Sequence, residues 1–217
     1  MNFKKIASFA LAAAMTLSLA ACGGGDDKPD ASKGDNTPAS TSGSQTGDAS
    51  SLPEITAGSC ATPAILISIG QSADVEIVGT LCSKAGIEVD IDATVSTDDL
   101  TADCKTLLLS VGGSSKGLGA AGIDADQELE RTDALLAKAK ELGITVVALH
   151  TGGSARRGTL SDSFVTPAFE GADIAVVVAE GDGDGLMSGI LAKNSTPSAY
   201  VEKIADSVET LKTLFGV

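Results

Sequence analysis

The segment that decides the fold is Ala64-Ile-Leu-Ile-Ser-Ile69, followed directly by Gly70-Gln-Ser-Ala-Asp74. The first part is an apolar run that is too short for a helix and rich in β-branched side chains, a pattern typical of a buried strand. In the second part, Ser72 and Asp74 can cap a helix that runs to about residue 85 and stops at Gly86. This stretch therefore predicts a strand, a short polar loop and a helix.

The same alternation of strand and helix continues to the end of the chain. Residues 87–91 read Ile-Glu-Val-Asp-Ile, the alternating pattern of a half-buried edge strand. The remaining predicted strands are 106–111, 144–149 and 173–179, residues 197–201 allow a short sixth strand, and the further predicted helices are 124–142, 162–170, 186–193 and 199–215.

Continuous apolar strands that alternate with helices favour a parallel sheet covered on both faces. We therefore predict a single α/β domain over residues 53–217, with a three-layer, doubly wound, parallel five-stranded sheet in the flavodoxin-like order 2-1-3-4-5. In such a sheet, ligands bind outside the carboxyl ends of the strands, at the switch point between the first and third strands. The loops after these strands are the place to look for function.

Residues 1–21 have the pattern of a secretory signal peptide. Two lysines precede an apolar run over residues 6–19, and the run ends in Leu19-Ala-Ala-Cys22, followed by three glycines. This ending resembles the bacterial lipobox, which implies that Cys22 is acylated, as by palmitate, and becomes the mature N-terminus. The alternative is an ordinary signal peptide with a chance cysteine at its cleavage site. The resemblance predicts a lipoprotein held by the lipid bilayer of the cell membrane or envelope, facing outside the cytoplasm.

The amino-acid composition predicts a disordered linker and limits the classes of molecule that the protein can bind. Residues 22–52 are rich in Gly, Ser, Thr and Asp and lack apolar periodicity, so we predict a disordered tether between the acylated cysteine and the domain. The formal net charge is −14, aromatic residues make up 3% of the chain, and tryptophan is absent. Nucleic acid is therefore excluded as a partner, because its phosphates need clustered lysine and arginine.

Three cysteines remain once Cys22 is set aside as the lipid site. Cys60, Cys82 and Cys104 follow no zinc-ligand spacing, so we predict no metal site. Cys60 and Cys104 each precede a strand near the same sheet edge, which makes them the best candidates for a disulfide. Three small buried thiols are an equally good interpretation.

Glycine-rich loops with functional side chains follow four of the five predicted strands. Glycine lets a ligand approach the backbone and leaves N–H groups free to bind an anion, and lysine and arginine would add charge. We interpret the loops as a site for a small anionic or polar ligand; the alternative is that short turns simply need glycine and that the arginines form a surface pair. The candidate ligand-binding residues are Gly70, Gln71, Ser72, Gly113, Ser114, Ser115, Lys116, His150, Arg156 and Arg157.

One of these loops, Gly113-Ser-Ser-Lys-Gly-Leu-Gly119, resembles the GxxxGxG cofactor loop of short-chain dehydrogenases. That family places the loop after its first strand and uses a Tyr-x-x-x-Lys pair. Here the loop follows the third predicted strand, and Lys203 lies three positions after Tyr200 rather than four. We therefore interpret the glycines as convergent and predict no cofactor.

His150, the only histidine, is the candidate catalytic residue, as a general acid or base. A packed, hydrogen-bonded neutral imidazole is an equally good interpretation of this residue. With the catalytic role, the protein would be a hydrolase or transferase. The other alternative is a non-catalytic module that binds an envelope protein or a second copy of this chain. The acidic turn at Glu180, Asp182 and Asp184 is interpreted as a surface turn rather than as a cation site.

The loop segments together are similar to an uncharacterised family of exported bacterial α/β domains over residues 63–215. This resemblance implies a shared fold and a site formed by the loops, but no established activity.

Overall fold

The segment that opens the predicted domain folds as expected. In the computed structural model, which describes residues 49–217, strand β1 spans Ala64–Ile69 and helix α1 spans Asp74–Ala85. Ser72 Oγ accepts a hydrogen bond from the backbone N–H of Asp74 at 3.1 Å. Gly86 ends α1 in the left-handed conformation, with φ of 78°.

The described residues continue in regular alternation of strands and helices. The other strands are β2 (Val89–Ile91), β3 (Thr106–Val111), β4 (Thr145–His150), β5 (Ile174–Val178) and β6 (Ser198–Val201). The other helices are α2 (Ser115–Ala121), α3 (Ala125–Leu142), α4 (Thr159–Glu170), α5 (Leu186–Asn194) and α6 (Ser207–Phe215). All strand pairs are parallel, in the order β2-β1-β3-β4-β5-β6.

The sheet has six strands, so the prediction of five was wrong, although the order of the first five was right. The sixth, β6, forms at the short segment that the sequence allowed, and it replaces the start of the helix predicted over 199–215. Its Tyr200 hydroxyl donates to Asp182 at 2.7 Å, and the Ser198 N–H donates to the Pro53 carbonyl at 2.9 Å. These bonds and its pairing with β5 hold the segment extended, so the last helix begins only at Ser207.

Two apolar clusters, one on each face of the sheet, make the domain three layers thick. On one face, α1 and α6 pack on residues such as Leu66, Leu108 and Val147. On the other face, α2 to α5 pack on residues such as Leu107 and Leu109. The doubly wound arrangement is therefore confirmed.

Two helices depart from the sequence expectation. Helix α2 lies inside the glycine-rich segment that was predicted as a loop, because Ser114 Oγ caps it by accepting from the Gly117 N–H at 3.0 Å. Helix α4 begins earlier than predicted, at Thr159, and continues past Pro167 to Glu170.

No disulfide joins the cysteines of residues 49–217 in this structure. Cys60, Cys82 and Cys104 are buried free thiols, so the candidate Cys60–Cys104 disulfide is not formed in this structure. The physical reason is the sheet itself. Cys60 packs in the cluster under α1 and α6, whereas Cys104 packs in the cluster on the opposite face.

The signal peptide, Cys22 and the linker up to residue 48 fall outside the described residues, and their assignment stays a prediction. Within residues 49–217, no helix has the length and apolar character needed to cross a membrane.

Candidate functional site

Arg156 and Asp74 form an ion pair at the switch point of the sheet. Asp74, the first residue of α1, is 3% exposed, and Arg156 ends a 3₁₀ turn, Gly153–Arg156, that follows β4. Arg156 Nε donates to both carboxylate oxygens of Asp74, at 2.9 and 3.0 Å. Gly152 leaves the room that the pair occupies, because a Cβ there would lie 1.9 Å from Arg156 Cγ. A Cβ on Gly112 would make a tight contact of 3.2 Å with Asp74 Oδ2. The loops after β1, β3 and β4 therefore meet at this pair.

Within residues 49–217, the hydrogen bonds of the Arg156 guanidinium come from Nε alone. Its two terminal nitrogens donate to no residue in the part of the chain that the structure describes, and the side chain is 37% exposed. Asp74 thus holds the guanidinium through Nε alone and leaves the terminal N–H groups without a partner in the described part of the chain. This is the edge of an arginine that binds a carboxylate or phosphate through two parallel hydrogen bonds.

Arg157, the neighbouring candidate, is fully engaged within the protein. Its Nε donates to Asp162 at 2.7 Å, and its terminal nitrogens donate to Asp184 at 2.8 and 2.9 Å and to the Gly181 carbonyl. The hydrogen bonds with Asp184 raise the pKa of Arg157 and lower the pKa of Asp184. Arg157 therefore ties the loop after β4 to the loop after β5 and has no free donor pair for a ligand.

Gly70 and Gln71 are held by a buried carboxylate that the sequence did not reveal. Glu128 of α3 is 0% exposed, and its Oε1 accepts from the Gly70 N–H at 2.8 Å and from Gln71 Nε2 at 3.1 Å. Gln71 also donates to the Ala93 carbonyl at 3.2 Å. Gly70 and Gln71, both candidate ligand-binding residues, therefore stabilise the conformation of the loop after β1.

Arg131 completes this network. Its Nε donates to Glu128 Oε2 at 2.8 Å, and its terminal nitrogens donate to Glu128 and to the carbonyls of Val95 and Ser68. Glu128 and Arg131 stand three residues apart on a helix, a spacing that usually marks a solvated surface pair. Nothing in the local sequence indicates that this pair is buried.

The candidates after β3 divide into two groups. Gly113 donates its N–H to Ser161 Oγ at 3.0 Å, and Ser114 caps α2, so both are used in packing. Ser115 and Lys116 are exposed, and no ion pair joins Lys116 to another described residue. Lys116 is therefore free to add positive charge at this edge.

His150 is enclosed rather than presented to solvent. It is 0% exposed, and its Nε2 lies 3.3 Å from the Arg156 carbonyl oxygen. Because a carbonyl only accepts, Nε2 carries the hydrogen, and Nδ1 is an acceptor that meets no donor within residues 49–217. Burial lowers the pKa of His150. The neutral ring thus supports the loop that carries Arg156.

The acidic turn after β5 is largely structural. Asp182 accepts from the N–H groups of Met187 and Ser188 at 2.7 and 2.8 Å, besides the Tyr200 hydroxyl, so it satisfies two donors in the first turn of α5. Glu180 is exposed and accepts from Ser154 Oγ at 2.6 Å. No three His, Cys, Asp or Glu side chains are grouped as metal ligands within the described region.

Comparisons with known proteins add a family but no activity. No curated protein matches the chain significantly. Among solved structures, a carbohydrate kinase from Agrobacterium tumefaciens is 13% identical over 64% of this chain and 53% of its own, with a TM-score of 0.33. The esterase EstA from Pseudoalteromonas sp. is 10% identical over 64% of this chain and 78% of its own, with a TM-score of 0.28.

The chain spans about half the length of the kinase it matches. At such low similarity neither structure supports an activity for this chain. One family model, however, matches residues 61–215, nearly all of the part with regular structure. The chain therefore belongs to the family described as a domain of unknown function, DUF6305.

Proposed function

We propose that this protein is a membrane-anchored, extracytoplasmic lipoprotein whose α/β domain binds a small anionic ligand at the carboxyl edge of its sheet. The ligand's carboxylate or phosphate group accepts hydrogen bonds from the terminal nitrogens of Arg156. The single observation that carries this proposal is the fixed guanidinium of Arg156, which buried Asp74 holds through Nε and whose terminal nitrogens donate to no other residue between 49 and 217.

Preorganisation supports the assignment. A free arginine side chain loses rotamer freedom when it binds, at a cost of about 0.5–1.5 kcal/mol for each immobilised side chain. Asp74 has already restricted Arg156, so less of that cost falls on ligand binding. The other two arginines offer no such donors, because Arg131 and Arg157 use theirs within the protein.

The hydrolase or transferase alternative has less support. A general acid or base must come within hydrogen-bond reach of the substrate. His150 is fully buried, and its Nε2 faces a backbone carbonyl. The geometry therefore favours binding over catalysis.

Replacing Arg156 with lysine is expected to weaken the binding of propionate or inorganic phosphate about tenfold. Lysine keeps the charge but loses the two parallel donors, and a hydrogen bond to a charged group is worth about 1.5–3 kcal/mol. Affinities from NMR titration of the purified full chain measure the effect. Lys84→Gln is the control, and a change below about threefold is expected because Lys84 is exposed in the last turn of α1, at the opposite end of that helix from Asp74. The site is refuted by the absence of binding in the wild type or by equal affinity in Arg156→Lys.

Replacing Cys22 with alanine is expected to release the protein from the membrane fraction of the cells that produce it. Each acyl CH₂ contributes about 0.8 kcal/mol to membrane binding, and the variant has no acylation site. Fractionation with mass spectrometry of the N-terminal peptide measures the change. Cys60→Ala, which removes a buried thiol of the domain, should leave the protein at the membrane. Wild-type protein in the soluble fraction, or an unmodified Cys22, would contradict the anchor.

A further inference from the structure

We infer that His150 is the proton sensor of the ligand site: uptake of a proton by its ring opens the loop that carries Arg156 and releases the bound anion at acidic pH. This inference rests on the proposed anion site and adds the regulation of that site. It starts from the way in which the folded chain encloses the ring on both sides.

The ring of His150 lies between two 3₁₀ turns, Gly153–Arg156 after β4 and Ala179–Asp182 after β5. On one side, Nε2 donates to the carbonyl of Arg156, the residue whose side chain forms the anion site, at 3.3 Å. On the other side, a Cβ added to Gly181 would lie 2.7 Å from both Nδ1 and Cε1. The Nδ1 edge of the ring therefore packs directly on the Gly181 backbone.

This enclosed space suits a neutral ring and not a protonated one. A protonated imidazole donates from both of its nitrogens. Nδ1 of His150 meets no hydrogen-bond partner within residues 49–217, so its new N–H would be buried without an acceptor. Burial accordingly lowers the pKa of His150 below its ordinary value of 6.5. The ring takes up a proton more readily once the two turns separate and water reaches Nδ1.

The charged groups on the surrounding elements do not stabilise a protonated ring enough to change this. Arg157 of the same loop disfavours a second positive charge here, whereas Asp74 of α1 favours it. No carboxylate bonds to the ring among the described residues. The carboxylates that these elements carry bind other groups: Asp74 binds Arg156, Asp162 of α4 and Asp184 bind Arg157, Glu180 binds Ser154, and Asp182 binds the first turn of α5.

The loop after β4 is the part that yields when the ring is protonated. Thr151 Oγ1, at the start of this loop, is a second buried polar atom that has no partner in the described region. Buried polar groups without partners make the closed loop less stable. Opening moves the backbone of Arg156, so its Nε leaves the Asp74 carboxylate that fixes it. Protonation of His150 and binding of the anion are thus coupled.

The direction of the pH effect follows from the pKa of His150 in the two states of the loop. The open loop exposes the ring and leaves its pKa at the ordinary value of 6.5, whereas the closed loop lowers it. The stability that the neutral ring gives to the closed loop is therefore complete above pH 6.5, and it is lost as the pH falls through the lower value. Acid thus weakens anion binding.

The experiment measures the affinity of the purified full chain for propionate at about pH 8 and about pH 5.5 by titration calorimetry. Propionate stays largely ionised over this range, because ordinary carboxyl groups ionise at about pH 4. Wild-type affinity should be at least about threefold lower at the acidic pH, within the limit of about tenfold per pH unit for one proton. His150→Gln keeps an N–H donor for the Arg156 carbonyl but does not titrate, so its affinity should change less than about twofold. Glu180→Gln is the control, because it removes the exposed carboxylate of the neighbouring turn and should keep the wild-type pH dependence.

A second measurement needs no substitution. His150 is the only histidine, so its ring gives a single NMR titration in protein purified without a histidine tag. Saturating propionate should lower the midpoint of that titration, because the ligand must disfavour the proton as much as the proton disfavours the ligand.

The outcomes separate the sensor from the anion site. Equal wild-type affinity at the two pH values, a pH dependence that survives His150→Gln, or a titration midpoint that propionate leaves unchanged overturns the sensor and leaves the anion site standing. Absence of propionate binding even at the higher pH overturns the anion site itself.

Discussion

Replacing Glu128 with alanine is expected to lower the free energy of unfolding by about 3–5 kcal/mol, the range found when one partner of a buried ion pair is removed. The change leaves the Arg131 guanidinium, 16% exposed in its side chain, without its counter-ion. It also removes the acceptor of the Gly70 N–H and of Gln71 Nε2. Urea denaturation followed by circular dichroism measures the loss.

The control for this substitution lies on the same helix. Glu141 is 68% exposed in its side chain and pairs with Lys138 at 3.2 Å, so Glu141→Ala should cost less than about 1 kcal/mol. If Glu128→Ala also costs less than about 1 kcal/mol, the network does not hold the loop after β1.

Replacing Gly117 with alanine is expected to lower the free energy of unfolding by at least about 2 kcal/mol. Extra atoms in a well-packed site typically cost about 1–3 kcal/mol, and sometimes more. A Cβ at this position would lie 1.8 Å from the Gln71 carbonyl oxygen and 2.9 Å from its carbon. These are backbone atoms of a loop that Glu128 already fixes, so they cannot move aside as a side-chain end could. Thermal and urea denaturation measure the effect.

Gly119→Ala is the matched control, two residues further along the same helix. Its Cβ would meet no atom within 4 Å. Alanine is better than glycine in a helix interior, so a gain of roughly 0.5–1 kcal/mol is expected. Equal effects of the two substitutions would show that helix propensity, and not the contact with Gln71, decides the outcome at Gly117.

Gly113 and Gly117 explain why this segment resembles a dehydrogenase cofactor loop. Gly117 lets α2 approach the chain's own backbone at Gln71, and a Cβ on Gly113 would lie 2.9 Å from the backbone nitrogen of Ser161. Close approach of backbone selects glycine whether the neighbour is a cofactor or another loop. The motif therefore predicts close contact and does not identify what makes it.

Much of the fold was accessible from the sequence because buried parallel strands appear as continuous apolar runs. The strand at Ala64–Ile69 and the helix after Asp124 both form as predicted, and Asp124 caps that helix through a hydrogen bond with Gln127. Strand β6 was harder, because Ser198–Val201 is short and borders a sequence that also fits a helix. Hydrogen bonds to distant residues decide its conformation.

The site was only partly predictable, for a reason that Arg156 and Arg157 illustrate. They are adjacent and chemically identical, yet among the described residues Arg156 bonds through Nε alone, whereas Arg157 also uses both terminal nitrogens. The difference comes from the carboxylates of Asp74, Asp162 and Asp184, which three separate loops or helices bring into place. Local sequence contains no information on that assembly.

The burial of Cys60 and Cys82 affects how readily their thiols can be oxidised. Burial raises the pKa of Cys60 and of Cys82 to about 11, so roughly one thiol in ten thousand is a thiolate at pH 7. The thiolate is the form that reacts with oxidants and disulfides. Burial therefore disfavours the reactive form of both thiols in the folded domain, and we expect alkylation by iodoacetamide at pH 7 to be much faster after unfolding in urea than before it.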